Sequence, residues 1–378
     1  MQTLREGARG AEVEIVQLAL RRAGFGVYPD GVFGPDTLRA LTGFQAENGL
    51  AADGVAGPMT WAALRPYIVA PAGPIVPTDI RWGSELLGLV AEGLCRRYGF
   101  LKVTSVGASA LGRPLYQLSI GKGARRVGYN AAHHANEWIT TPVLLQFLER
   151  FAAGVAGGGE IGGVSCQYLY DRYTLDIVPM VNPDGVDLVN TGYIEAEAYT
   201  RAKEIAGDFP YIPFPSGWKA NIDGVDPNLS YPAQWERARK LKFARGFDRP
   251  APRDYVGEAP LAAPESAAMY RRALAADYRL ILAYHSQGEI IYWKFDDFNP
   301  KGAYELGRKM EAVSGYTLAE TPDYSGAAGY KDWFIQQFNR PGYTIEVGMG
   351  TNPLPLSQFD RIYQENVRIL LLGMVGLE

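Results

Sequence analysis

The sequence predicts an α/β protein: a mixed, mostly parallel sheet flanked by helices, preceded by a small three-helix domain. Three observations lead there. From about residue 81 onward, apolar strand-like runs alternate with segments of helical periodicity, the pattern of a sheet covered on both faces. The first 65 residues instead carry an internal repeat. Between the two, residues 66–80 hold Pro66, Pro71, Pro74 and Pro77, the composition of a semi-rigid extended linker. The expected division is therefore 1–65, a linker over 66–80, and a large domain over 81–378. A chain of 378 residues has room for both a small and a large core.

The repeat is read from Asp30-Gly31-Val32-Phe33-Gly34-Pro35-Asp36-Thr37-Leu38, which returns 23 residues later as Asp53-Gly54-Val55-Ala56-Gly57-Pro58-Met59-Thr60-Trp61. Each copy combines a tight Asp-Gly turn with a Gly-Pro step into a helix, where proline suits the first turn. Before them, Val13, Ile15, Val16, Leu18, Leu20 and Ala23 fall at roughly helical spacing. In the large domain, Leu86 to Tyr98 and Pro142 to Phe151 read as helices. Arg126 to Ala132 and Tyr173 to Pro179 read as strands. Six glycines within residues 154–164 predict a mobile connection.

Chemistry concentrates in the scarcest side chain. The chain has three histidines, His133, His134 and His285. His134-Ala135-Asn136-Glu137 sets an imidazole and a carboxylate three residues apart. His285, at the polar end of the run Leu282-Ala283-Tyr284, completes a His/Glu/His set of the kind that holds catalytic zinc with one position left for water. The plain alternative is a surface histidine pair and a hydrogen-bonded core histidine. Tyr343-Thr344-Ile345-Glu346-Val347 adds one acid inside a β-branched run, a costly position for a carboxylate unless it is paired or near a metal. Partial burial there suits a general base; a glutamate on a solvated strand face is the alternative.

These segments, in order, resemble the zinc metallocarboxypeptidases with the carboxypeptidase A fold: His134 to Ile139, Tyr284-His285-Ser286 and Ile345-Glu346. Gly107 to Leu115, Val178 to Gly185, Gly224 to Asn228 and Tyr255-Val256-Gly257 fit in the same order. Within that family the look is nearest to the γ-D-glutamyl-diaminopimelate endopeptidases, through Trp218-Lys219-Ala220-Asn221, His285 to Trp293 and Gly329-Tyr330-Lys331-Asp332-Trp333. The resemblance implies one Zn²⁺ per chain on His134, Glu137 and His285, with Glu346 as general base. It also implies Lys219 as the cation facing the oxyanion and Tyr324 as a mobile phenol beside the hinge-like Ser325-Gly326. Asn228, Lys331 and Gln287, after Lys219, are candidate substrate contacts. The digestive enzymes of the family follow the pocket asparagine with a carboxylate-clamping arginine; here Leu229 stands there, against an ordinary exopeptidase.

Residues 1–65 resemble the small three-helix peptidoglycan-binding domain at Gln17, Asp30 to Gly34, Phe44-Gln45 and Asp53-Gly54. The implied substrate is peptidoglycan or a muropeptide. A zinc carboxypeptidase or amidase acting on another wall bond, and an inactive wall-binding protein, are the competing readings. With a net charge of -4, no nucleic-acid partner is expected, and no protein partner is implied. Arg237 to Lys242 reads as a solvated helix face. Cys95 and Cys166 are expected as two reduced thiols, though a single bridge is an open alternative. No export signal is read at Met1 to Gly7, and no apolar stretch is long enough for a membrane. The expectation is a cytoplasmic protein, acting on wall fragments as in sporulation or recycling, or reaching the wall on release.

Overall fold

The computed structural model describes residues 1–190, 194–322 and 327–377. Helices α1 (Ala11–Arg22), α2 (Pro35–Glu47) and α3 (Pro58–Val69) open the chain, with Pro35 and Pro58 each in the first helical turn. Two glutamines staple the two repeats in the same way. Gln17 Nε2 donates to Asp30 Oδ1 at 2.8 Å and to Thr37 Oγ1 at 2.9 Å, while its Oε1 accepts from Gly31 N at 2.9 Å. Gln45 repeats this on Asp53 (2.9 Å), Thr60 (3.1 Å) and Gly54 N (3.0 Å). Gly31 and Gly54 sit at φ +72° and +68°, where a side chain would be strained.

The expected linker is neither extended nor free. Helix α3 runs through Pro66 to Val69, and Ile75, Val76 and Ile80 are buried. The Ile75 and Val76 amides donate to the two oxygens of Glu149 at 2.7 and 2.9 Å. Arg22 Nη2 donates to the carbonyls of Pro74 (2.8 Å) and Ile75 (3.1 Å). Apolar side chains between the prolines pull this segment into the core, and the buried amides take a carboxylate as partner because an unmet amide is costly. Arg81 then clamps Glu14 of α1 through its backbone N (2.6 Å) and Nε (2.7 Å). The hydrophobic core is continuous from α1 through Trp82 into α4 (Ser84–Arg97) and the large domain.

Eight strands form the main sheet: β1 (Lys102–Ala108), β2 (Pro114–Ile120), β3 (Arg125–Ala131), β6 (Tyr173–Val178), β7 (Leu280–Ser286), β8 (Ile290–Tyr292), β9 (Thr317–Ala319) and β10 (Gly342–Val347). A separate hairpin pairs β4 (Glu160–Ile161) with β5 (Val164–Ser165). The glycine-rich stretch expected to be a loose connection is thus the last turn of α5 (Thr140–Gly157), a left-handed cap at Gly158 and this hairpin. The order across the sheet is β1-β2-β6-β3-β7-β10-β8-β9. Four of its seven neighbour pairs are parallel: β3 with β6, β3 with β7, β7 with β10, and β8 with β9. Along β7, Leu280, Leu282 and Tyr284 face one core and Ile281 and Ala283 the other, so both faces are covered. The central parallel strands β3, β7 and β10 end together, which puts the following residues at one edge of the sheet.

Candidate metal centre and catalytic cleft

His134 follows β3 and opens a 3₁₀ turn, Ala135–Glu137. The tight turn returns residue i+3 to the side of residue i, which is why His-x-x-Glu works here. His285 is the penultimate residue of β7, one strand away. The three donors meet. His134 Nδ1 lies 3.0 Å from Glu137 Oε1, His285 Nδ1 lies 2.9 Å from Glu137 Oε2, and the two Nδ1 atoms are 3.2 Å apart. All three ligand atoms fall within 4.8 Å of one another.

The surroundings fit a cation in that cage. Two imidazole nitrogens and one carboxylate are a zinc donor set. The far nitrogen of His134, Nε2, rests on Asp226 Oδ1 at 3.2 Å, the outer carboxylate contact that fixes a ligand ring. Burial opposes the charge of Asp226, but the His134 imidazole outweighs it and holds this carboxyl well below its usual range. Burial likewise opposes ionisation of Glu137, and His134 and Lys219 together overcome it. His133 is not part of the cage. It is fully buried, with Nε2 3.0 Å from the Tyr231 hydroxyl.

Glu346 lies in β10 directly opposite His285 in the parallel register. Its strand neighbours Ile345 and Val347 belong to the core, so alternation turns Glu346 to the other face, where it borders the cleft. Burial first, and then the Glu137 charge, push its carboxyl up to about 8. That is a proton acceptor in the range a general base uses.

The remaining expected residues are distributed unevenly. Lys219 Nζ is 2.7 Å from Glu137 Oε1, and its backbone N donates to Pro252 O at 2.7 Å. Asn228 borders the inner cavity; its Oδ1 accepts from Tyr330 N at 3.0 Å and its Nδ2 lies 3.4 Å from His285 Nε2. Lys331 borders the same cavity but is committed: Nζ donates to Lys294 O (2.7 Å) and Thr321 Oγ1 (2.8 Å) and lies 2.6 Å from Asp332 Oδ1. Gln287 is exposed at the rim of a second, outer cavity. Tyr324, with Ser325 and Gly326, lies outside the described residues.

The two cavities, of about 190 and 730 Å³, share Lys219, Arg253, Asp254, Tyr292 and Glu346. Arg253, Asp254 and Tyr292 were not singled out from sequence. Nor was the role of Asp226, though it lies inside a recognised segment. Lys242 is a correction to the expected solvated basic face: on the helix Trp235–Phe243 it is buried and its Nζ pairs with Asp254. Its neighbour Lys240 remains exposed, so the burial is local to the side chain that turns inward. Cys95 and Cys166 are both free thiols. Among the described residues no helix is long and apolar enough to cross a membrane.

Comparison with known proteins agrees with this geometry. Residues 9–64 match the model of a putative peptidoglycan binding domain. A relative from Lysinibacillus sphaericus, gamma-D-glutamyl-L-diamino acid endopeptidase 1, is 46% identical over 277 residues, covering 73% of this chain and 68% of that one. In fold, the chain is similar to thrombin activatable fibrinolysis inhibitor, with a TM-score of 0.63 at 16% identity over 100% of this chain and 99% of the other. It is also similar to carboxypeptidase A from Helicoverpa armigera, with a TM-score of 0.59 at 16% identity over 99% and 97%. Residues 92–369 match the zinc carboxypeptidase model, so the chain belongs to the zinc carboxypeptidase family.

Proposed function

We propose that this protein hydrolyses the γ-D-glutamyl-diaminopimelate amide of bacterial wall peptides, with residues 1–65 holding it to peptidoglycan. The observation that carries the reaction is the meeting of His134, Glu137 and His285 beside a half-buried Glu346 at the cleft. The substrate class rests on the Lysinibacillus relative and on Leu229, which takes the place of a terminal-carboxylate clamp.

His134 and His285, each through Nδ1, and Glu137 through its carboxylate are the residues that would hold one Zn²⁺. Bound there, zinc supplies a Lewis acid and brings the pKa of water to about 7. Glu346 takes the proton of the attacking water on its carboxylate and returns it to the leaving amine. Its partial burial suits both halves of that task, because a strongly acidic carboxyl would accept poorly. Lys219 carries three donors on Nζ and spends one on Glu137 Oε1, leaving two for an oxyanion in the cleft. Asn228 and Gln287 are placed to hydrogen-bond a peptide from the inner and outer cavities. Lys331 shapes the inner wall through its buried contacts.

The test is product analysis. Zinc-loaded protein is incubated with defined muropeptides, and the new termini are identified by mass spectrometry. Release of a peptide ending in D-glutamate and one beginning with diaminopimelate is expected. Cleavage at another bond transfers the site to a different wall amide. No cleavage by zinc-loaded protein counts for a binding protein.

A further inference from the structure

We infer that Arg253 recognises a substrate carboxylate next to the scissile amide, supplying from another loop the guanidinium that Leu229 lacks; the inference rests on the peptidase reading above. Leu229 is buried among Trp235, Val256 and Ala328, so that position offers no charge. Arg253 instead stands where the inner and outer cavities join, bordering both together with Lys219 and Glu346.

Its backbone is fixed on each side. The preceding carbonyl, Pro252 O, accepts from the amides of Lys219 (2.7 Å) and Ala220 (2.9 Å). The following amide, Asp254 N, donates to Asp226 Oδ2 at 3.2 Å. Arg253 is therefore held between the residue that orients His134 and the residue that pairs with Glu137. A recognition group mounted this way loses little freedom on binding.

The side chain is half committed. Nε donates to Asp254 Oδ2 at 2.6 Å, and among the described residues the two terminal nitrogens have no hydrogen-bond partner. The side chain is 42% exposed. Of the other cations on the inner cavity, Lys242 is paired with Asp254 and Lys331 with two oxygens and Asp332, while Lys219 pairs with Glu137 and turns its remaining donors to the oxyanion. Asp254 is shared by two cations, so its charge does not answer Arg253 alone. A planar fork with two open N–H faces matches the two oxygens of a carboxylate. A γ-linked glutamyl residue leaves its α-carboxylate free close to the reacting carbonyl, and a diamino acid carries a further one.

The test uses the full chain, zinc-loaded, with three peptides: an L-Ala-γ-D-Glu-diaminopimelate parent, its glutamyl α-carboxamide, and its diaminopimelate carboxamide at the carbon that bears the scissile nitrogen. Affinities are measured by calorimetry in the Glu346→Gln background, with and without Arg253→Gln, so that binding is read whether or not the bond is cut. Arg253→Gln is expected to weaken the parent by ~10- to 100-fold, the range for hydrogen bonds to a charged group. One carboxamide should bind weakly before the substitution and lose no more after it, which identifies the carboxylate. Arg253→Lys should recover part of the loss. Equal weakening of all three peptides assigns Arg253 a structural role and overturns the inference, as does no weakening. Cleavage of another bond by the wild-type chain refutes the reaction while this binding comparison still decides Arg253. If no peptide binds, both fall.

Discussion

Asp226→Asn should cost the protein 10- to 100-fold in zinc affinity, or about 1.4–2.7 kcal/mol, the range for removing a carboxylate that orients a ligand histidine. The structure shows why an isosteric change is not harmless. Asp226 Oδ1 accepts from Asn228 N at 3.0 Å and supports His134 Nε2 at 3.2 Å, while Oδ2 accepts from Asp254 N at 3.2 Å. Every group facing this side chain is a donor once Nδ1 of His134 is turned toward Glu137 and His285. An asparagine offers one acceptor and one donor. With its amide nitrogen toward Asp254, two donors abut in a site that is 3% exposed, at a cost of about 1–3 kcal/mol. With the nitrogen toward His134, the ring loses its partner. Competition against a chromophoric chelator measures the affinity, and the melting temperature of the metal-free variant separates loss of metal from loss of fold. Zinc affinity within threefold of the parent, in a variant that melts normally, would refute the idea that Asp226 presents His134 through Nδ1.

Three further outcomes are expected. Glu346→Gln should retain one zinc per chain by metal analysis and lose ~10² to 10⁴ in kcat; near-normal turnover would place the base elsewhere. Burial, and then the Glu85 carboxylate, push Glu12 of α1 up to about 7. Its folded-state pKa exceeds its unfolded value, so ionisation favours the unfolded chain and stability falls as pH rises from about 4.5 to 7. Glu12→Gln should therefore raise the melting temperature at pH 8 and leave it unaltered at pH 4; a gain of equal size at both would exclude the charge as cause. Starting the chain at Ile80 strips Glu14 from Arg81 and uncovers core around Trp82, so it should lower the melting temperature by at least ~5 °C. A truncated chain that melts with the parent would make the first three helices an independent appendage.

The metal cage was legible because its parts are rare and local. Three histidines leave few assignments, a 3₁₀ turn needs only a three-residue spacing, and a carboxylate in a β-branched run marks itself. Asp226, Lys242, Arg253 and Asp254 carry no such mark. They come together because two loops pin each other through Pro252 O and the Asp254 amide, contacts that no local periodicity encodes. The pairing of Lys219 with Glu137 is of the same kind, joining residues 82 positions apart. Residues 66–80 differ from the expected extended spacer for another reason. Their prolines satisfy the composition of an extended spacer, but Ile75, Val76 and Ile80 among them are core residues, and the partner for the Ile75 and Val76 amides, Glu149, lies on a distant helix.

The docking of residues 66–80 changes how wall attachment can work. A module on a flexible tether raises local substrate concentration over every orientation its linker allows. Here the segment after α3 is bound by Arg22, Glu149 and Arg97, and Arg81 closes the contact on Glu14, so the three helices are mounted on the large domain. Binding through such a mount selects orientation as well as proximity. A wall strand held by the first domain can present to the cleft only those peptides that project along one direction. Any gain on intact wall over soluble muropeptides would therefore depend on this interface. Substitutions at Glu14 or Arg81, remote from the metal cage, should lower cleavage of sacculi more than cleavage of small soluble peptides.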